Sequence, residues 1–141
     1  MLRLFGASIG RKVHPYPSSR VWAPWNLEMA DGSCLADGVD CYCVAKITIG
    51  AGSTVSQYSF LCSASHDYTD PAMPLMVAPI VIGNDAWITA DVYVGPGVTI
   101  GDGAVVTARS SVFADIPPWM VARGNPAVVV KPRIMKTVSA K

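Results

Sequence analysis

The chain has 141 residues, 51% of them hydrophobic and only 15% charged, and its net charge is +1. That balance is too neutral for nucleic-acid binding driven by electrostatics, and no apolar run approaches the roughly 18–20 residues of a membrane-spanning helix. The length fits one domain, taken as 1–141, and the apolar excess predicts a side face buried between subunits.

Met1-Leu2-Arg3-Leu4-Phe5 is too short for a signal peptide and reads as a coil cap. From Ile9 to Val112 an aliphatic or small residue recurs every sixth position. The lead positions fall in sets of three: Ile9, Pro15, Val21; Met29, Leu35, Cys41; Ile49, Val55, Leu61; Ile82, Ile88, Val94; Ile100, Val106, Val112. A period of six suits neither a helix nor an amphipathic strand. It predicts a triangular solenoid whose coils bury their apolar edges only by stacking. The fifth hexad residue is small (Ser33, Ser53, Ser59, Ala86, Ala104, Ser110), as an inward position near a corner requires. The fourth is often Gly or Asp (Gly32, Gly38, Gly52, Asp85, Asp91, Gly103), which suits a corner at positive φ.

Residue spacing gives the stacking. Ile9, Met29, Ile49, Ile82 and Ile100 should form one column, Pro15, Leu35, Val55, Ile88 and Val106 the second, and Val21, Cys41, Leu61, Val94 and Val112 the third. About five coils result, over residues 9–112, with two extra residues near Ala23-Pro24 and two near Ala45-Lys46. The interval from Ile49 to Ile82 holds about a dozen more, expected as one long loop over 67–79, and such loops are functional or disordered.

Cys41 is a lead residue and fills the prism. Cys34, Cys43 and Cys62 occupy other hexad positions, and Cys41-x-Cys43 is not a zinc spacing, so reduced thiols in a cytoplasmic protein are expected and no metal. Of the two histidines, His14 reads as a surface residue. His66 closes the hexad 61–66 where the regular coil stops, a position that suits equally a general base and a loop anchor. Beyond residue 112, Asp115-Ile116-Pro117-Pro118-Trp119 should break the repeat, with Trp119 covering the open edge of the last coil. Val128-Val129-Val130 reads as a short strand and 134–141 as an irregular tail, so the cap and tail together occupy 113–141.

Ser65-His66-Asp67, the hexads around it and the ending Arg123-Gly124-Asn125-Pro126-Ala127 resemble the hexapeptide-repeat acyltransferases. More narrowly, the runs Leu4-Phe5-Gly6-Ala7, Gly38 to Tyr42, Val55 to Asp67, Pro79 to Gly83 and Pro96 to Arg123 resemble the colanic-acid-biosynthesis acetyltransferases, relatives of the maltose, galactoside and xenobiotic acetyltransferases. The resemblance spans about residues 2–133. It implies an all-β, left-handed parallel β-helix, an exception to the usual right-handed crossover, and an O-acetyltransferase that uses acetyl-CoA on a hydroxyl of a sugar or related small acceptor.

His66 would be the general base, in a site shared between subunits of a homotrimer. On the coenzyme side the resemblance implies Trp87 beside the pantetheine, Ala90 and Ala108 as small residues that let it approach, Pro126 near the adenine, and Lys131 and Arg123 near the phosphates, with Arg109 a weaker candidate. Asp40, Tyr42, Asp67 and Tyr68 would face the acceptor. Two departures stand out: Phe113-Ala114 replaces a frequent Thr-Lys, and Cys43 follows Cys-Tyr where relatives often carry Asn. A zinc enzyme on the same prism, such as a γ-type carbonic anhydrase, needs three histidines per site and is rejected. A non-catalytic solenoid is the alternative to the enzyme.

Overall fold

The computed structural model describes residues 1–136; the last part of the expected tail, 137–141, lies outside the described residues. The chain winds as a left-handed parallel β-helix with three flat faces. The predicted register holds at every rung. On the first face Ile9 pairs with Met29, Met29 with Ile49, Ile49 with Ile82 and Ile82 with Ile100. On the second, Pro15, Leu35, Val55, Ile88 and Val106 follow one another. On the third, the order is Val21, Cys41, Leu61, Val94 and Val112. The lead side chains from Leu35 onward are buried, whereas Ile9 and Val21 of the first coil are only partly covered, because they have a neighbour on one side only.

Corner geometry outranks residue preference. The fourth hexad position is left-handed at Gly32, Gly38, Gly52 and Gly103, and equally at Lys12, Tyr58, Asp85, Asp91 and Arg109, whose φ values run from 52° to 62°. A side chain there costs on the order of 1–2 kcal/mol. The coil above and below fixes the bend, so the chain accepts that cost. The fifth-position serines are fully buried and hydrogen-bonded. Ser53 Oγ donates to the Gly83 carbonyl at 2.6 Å and accepts from the Ala86 N–H at 2.9 Å, and Ser59 bonds Thr89 and Val92 in the same way, so these two serines tie one coil to the next, whereas the Ser33 hydroxyl closes its own corner on the Ala30 carbonyl.

Three features depart from the sequence expectation. First, Leu27, Ile47 and Ile80 form an additional buried column two residues before the lead positions of the first face. The extra residues of those coils lengthen the strand so that both of its ends turn inward. Near Pro24 they form the 3-10 turn Pro24–Asn26.

Second, the repeat does not stop at Pro117-Pro118. Ile116 bridges in parallel to Ile100, Ala122 pairs with Val106, and both are buried, so a partial sixth coil follows the five. The prolines sit at the corner, where the neighbouring Ile116 and Trp119 make the ladder contacts. Trp119 therefore seals a corner and not the open edge. Its ring lies against Gly103, where a Cβ would come within 2.5 Å of it, and Arg133, which donates to the Gly103 carbonyl at 2.9 Å, stands over the ring with its guanidinium carbon 5.8 Å from the centroid. The expected strand at 128–130 is part of Ala127–Pro132, which pairs antiparallel with Met120–Gly124 and prolongs the second face.

Third, the long loop expected over 67–79 is built into a β-hairpin, with a turn after His66 and Leu75–Val77 as its returning strand. Ala64–His66 pairs antiparallel with Leu75–Val77, His66 opposite Leu75. The buried Ser63 anchors its base: its hydroxyl donates to the Tyr42 carbonyl at 2.9 Å and accepts from the Ala45 N–H at 2.9 Å, while its own carbonyl accepts the Ala78 N–H at 3.0 Å.

Candidate active site on the hairpin and the second face

His66 stands at the end of a strand and just before a turn, exposed to solvent. Its Nδ1 lies 2.6 Å from the Met73 carbonyl oxygen. A carbonyl only accepts, so this contact requires a proton on Nδ1, and in the neutral ring the lone pair is then on Nε2. The orienting group is thus a backbone carbonyl. Asp67, the neighbouring carboxylate, is engaged elsewhere: its Oδ1 accepts the Thr69 hydroxyl at 2.6 Å and the Thr69 N–H at 2.9 Å. These bonds, the hydroxyl's first, hold the Asp67 carboxyl below the usual carboxylate range. Tyr68 is 87% exposed on the turn, and Met73, Leu75, Met76 and Val77 leave about half of their surfaces uncovered.

The other residues expected at the acceptor lie on the third face. Asp40 is paired with Arg20. Tyr42 belongs to a ladder of five aromatic rings that climbs the outside of that face, Trp22, Tyr42, Phe60, Tyr93 and Phe113, with successive centroids 5.5, 6.4, 5.7 and 5.6 Å apart. Burial, together with the nearby Cys62 thiol, pushes the Tyr93 hydroxyl up to about 12. Phe113 heads this ladder, which is the structural consequence of the departure at 113–114.

The residues expected to hold the coenzyme gather on the second face and its edge. Trp87 is half-exposed in the middle of that sheet, its indole N–H donating to Ser56 Oγ at 2.9 Å. Ala90 and Ala108 line a shallow depression of about 310 Å³ with Gln57, Tyr58, Asp91 and Arg109, at the corner between the second and third faces. An ion pair at 3.4 Å holds Arg109 to Asp91. Arg123, Pro126 and Lys131 belong to the hairpin of Met120–Gly124 and Ala127–Pro132 that extends the same sheet, with Pro126 after a cis peptide at its turn. His66 and this depression occupy the two corners that flank the third face, so one copy of the chain does not bring them together.

Among the described residues no three or more His, Cys, Asp or Glu side chains are grouped so that they could hold a metal ion. Cys43, like Cys41, is fully buried, a placement that the hexad period does not give. Its Sγ donates to the Ala23 carbonyl and lies 3.3 Å from the Ala23 N–H. Hydrogen bonding from Cys41 and from the backbone makes Cys43 the more acidic thiol of the pair, and Cys41 is raised correspondingly. The residues that sequence reasoning missed, Met73 and Ser63, act through backbone and hydroxyl contacts, and only Ser63 left a trace in the sequence, as a small polar residue beside a coil end.

The chain has close counterparts among known proteins. The family described as bacterial transferase hexapeptide (six repeats) matches residues 79–114. Over 134 residues the chain is 50% identical to the "Putative colanic acid biosynthesis acetyltransferase WcaF" of Escherichia coli K12, covering 95% of this chain and 74% of that protein. Over 53 residues, 38% of this chain and 26% of the relative, it is 53% identical to the galactoside O-acetyltransferase of the same organism. Among solved structures, the maltose O-acetyltransferase of Clostridium difficile 630 superposes with a TM-score of 0.88 at 30% identity, covering 95% of this chain and 73% of that one. A hexapeptide-repeat acetyltransferase of Vibrio cholerae in complex with acetyl-CoA superposes with a TM-score of 0.87 at 29% identity, covering 95% and 75%. The chain belongs to the hexapeptide-repeat acetyltransferases, enzymes that take their acyl group from acetyl-CoA.

Proposed function

We propose that this acetyltransferase acts on a hydroxyl of a sugar or related small acceptor, with His66 as general base, in a site shared by copies of a cytoplasmic homotrimer. The observation that carries the reading is the 2.6 Å contact between His66 Nδ1 and the Met73 carbonyl. In the neutral ring it places the lone pair on Nε2, on the side of the imidazole away from its backbone anchor, the arrangement that a base needs. Nε2 takes the proton of the acceptor hydroxyl as its oxygen bonds to the thioester carbonyl carbon. Collapse of the tetrahedral species breaks the C–S bond, and the imidazolium returns the proton to the departing thiolate. Positioned proton transfer of this kind contributes roughly 10²–10⁴-fold.

The second face fits the donor's thioester arm. Ala90 and Ala108 leave space for a narrow chain at the corner, Trp87 offers an apolar wall, and Arg123 and Lys131 supply positive charge on the extended sheet. The shared site rests on geometry: a neighbour rotated about an axis facing the third face would bring its hairpin to this corner. The aromatic ladder would then line that axis, and the uncovered Leu75, Met76 and Val77 would be buried against the neighbour. Asp40 and Tyr42 would contribute to the acceptor pocket from the base of that face, and Asp67 and Tyr68 from the hairpin turn. The unpaired cysteines agree with a reducing compartment, and no helix among the described residues is long and apolar enough to cross a membrane.

Titration calorimetry with acetyl-CoA is the first test. One saturable site per chain, together with acetyl transfer to a sugar panel that is lost in His66→Ala, is the expected result. Failure to bind at millimolar coenzyme would favour a non-catalytic solenoid.

A further inference from the structure

We propose that Asp70 is a positioning residue for His66, because its carboxylate fixes the turn that presents the Met73 carbonyl to Nδ1. The inference rests on the reading of His66 as the base. A free neutral imidazole prefers the proton on Nε2, and in that form Nε2 donates and cannot accept the acceptor's proton. The Met73 carbonyl reverses that preference, so the fraction of competent base depends on how firmly this carbonyl is held.

Met73 is an unfavourable residue for the task. It sits at φ +44° and directly precedes Pro74, and a side chain in the left-handed region is strained. The conformation therefore needs external support, and Asp70 supplies it twice. Its carbonyl accepts the Met73 N–H at 2.8 Å, and its Oδ1 accepts the Ala72 N–H at 2.8 Å. Pro71, between them, fixes its own φ. Asp67 closes the ring from the other side: its carbonyl takes the Asp70 N–H at 3.3 Å and its N–H reaches the Pro74 carbonyl at 3.1 Å. Both carboxylates of the turn are thus spent on backbone N–H groups of the segment that carries the acceptor of the His66 proton.

The test reads the tautomer directly. The chain has two histidines, so the ring nitrogens of ¹⁵N-labelled full-length protein give two sets of signals, and His14 serves as an internal control of the fold. Asp70→Ala and Asp70→Glu, the latter keeping the charge but displacing the oxygen, are expected to shift His66 from the Nδ1–H toward the Nε2–H form. Asp70→Asn keeps the acceptor oxygen and should retain the native tautomer. In the transferase assay the first two should lower kcat on the order of tenfold, with KM nearly unchanged, and Asn should restore it. A native tautomer in Asp70→Ala, or a shift in Asp70→Asn equal to that in alanine, would overturn the proposal. Because the tautomer needs no substrate, an inactive wild type with a responsive tautomer would refute the catalytic role of His66 and leave the positioning intact.

Discussion

His66 is held by a backbone carbonyl, whereas Asp67 and Cys43 are shifted first by side-chain partners, the Thr69 hydroxyl and the Cys41 thiol. His66→Ala should lose roughly 10²–10⁴-fold in kcat while acetyl-CoA still binds, measured by steady-state kinetics beside calorimetry. Asp67 carries a pH dependence. Its carboxyl is lowered from an ordinary 3.8 by the Thr69 hydroxyl and N–H, so the folded turn favours the charged form. Its contribution is complete above 3.8 and lost as pH falls through the lowered folded value. The Thr69 amide signal should therefore move in acid before the strand amides of the prism do, and coincident changes would refute this. For Cys43 two effects compete: its hydrogen bonds favour the thiolate, but the side chain is fully buried. Access decides, and iodoacetamide should label Cys43 only after the chain unfolds.

At the scale of elements, each strand of two or three residues is too short to stand alone, and stacking supplies what length does not. The column Leu27, Ile47 and Ile80 makes the point. Its middle member is fully buried between two coils, so Ile47→Ala should cost about 2–5 kcal/mol in urea unfolding. Gly50 answers to a different force. A Cβ there would come within 2.3 Å of the Gly83 carbonyl, so Gly50→Ala must push the two coils apart. The hairpin was read only as excess length, because alternating signals are weak over Ala64–His66 and Leu75–Val77, and its own chain covers only about half of Leu75, Met76 and Val77.

For the whole molecule, the hairpin and the depression at Ala90 and Ala108 divide the proposed site between two corners of the prism, with the aromatic ladder on the face between them. In the proposed trimer a charge on the ladder would face its own copies around the axis. Tyr93→Arg should therefore reduce the assembled mass by sedimentation and lower transfer in parallel, whereas the prism keeps its fold because the ring points outward. A monomeric wild type would refute the shared site at once.

The sequence by itself determined the columns, since a residue every sixth position can be buried only in one register. It also marked His66 as the end of a coil and drew together Trp87, Ala90, Ala108, Arg123, Pro126 and Lys131 through family resemblance. Only the tertiary structure decided which corners take left-handed Lys12, Tyr58 and Arg109, because the bend is imposed by neighbouring coils and not by the residue itself. It alone decided that Ile116 and Ala122 extend the solenoid past two prolines, and that Met73 orients the imidazole. A backbone carbonyl is present at every residue, so no sequence signal distinguishes the one that a fold turns toward a histidine.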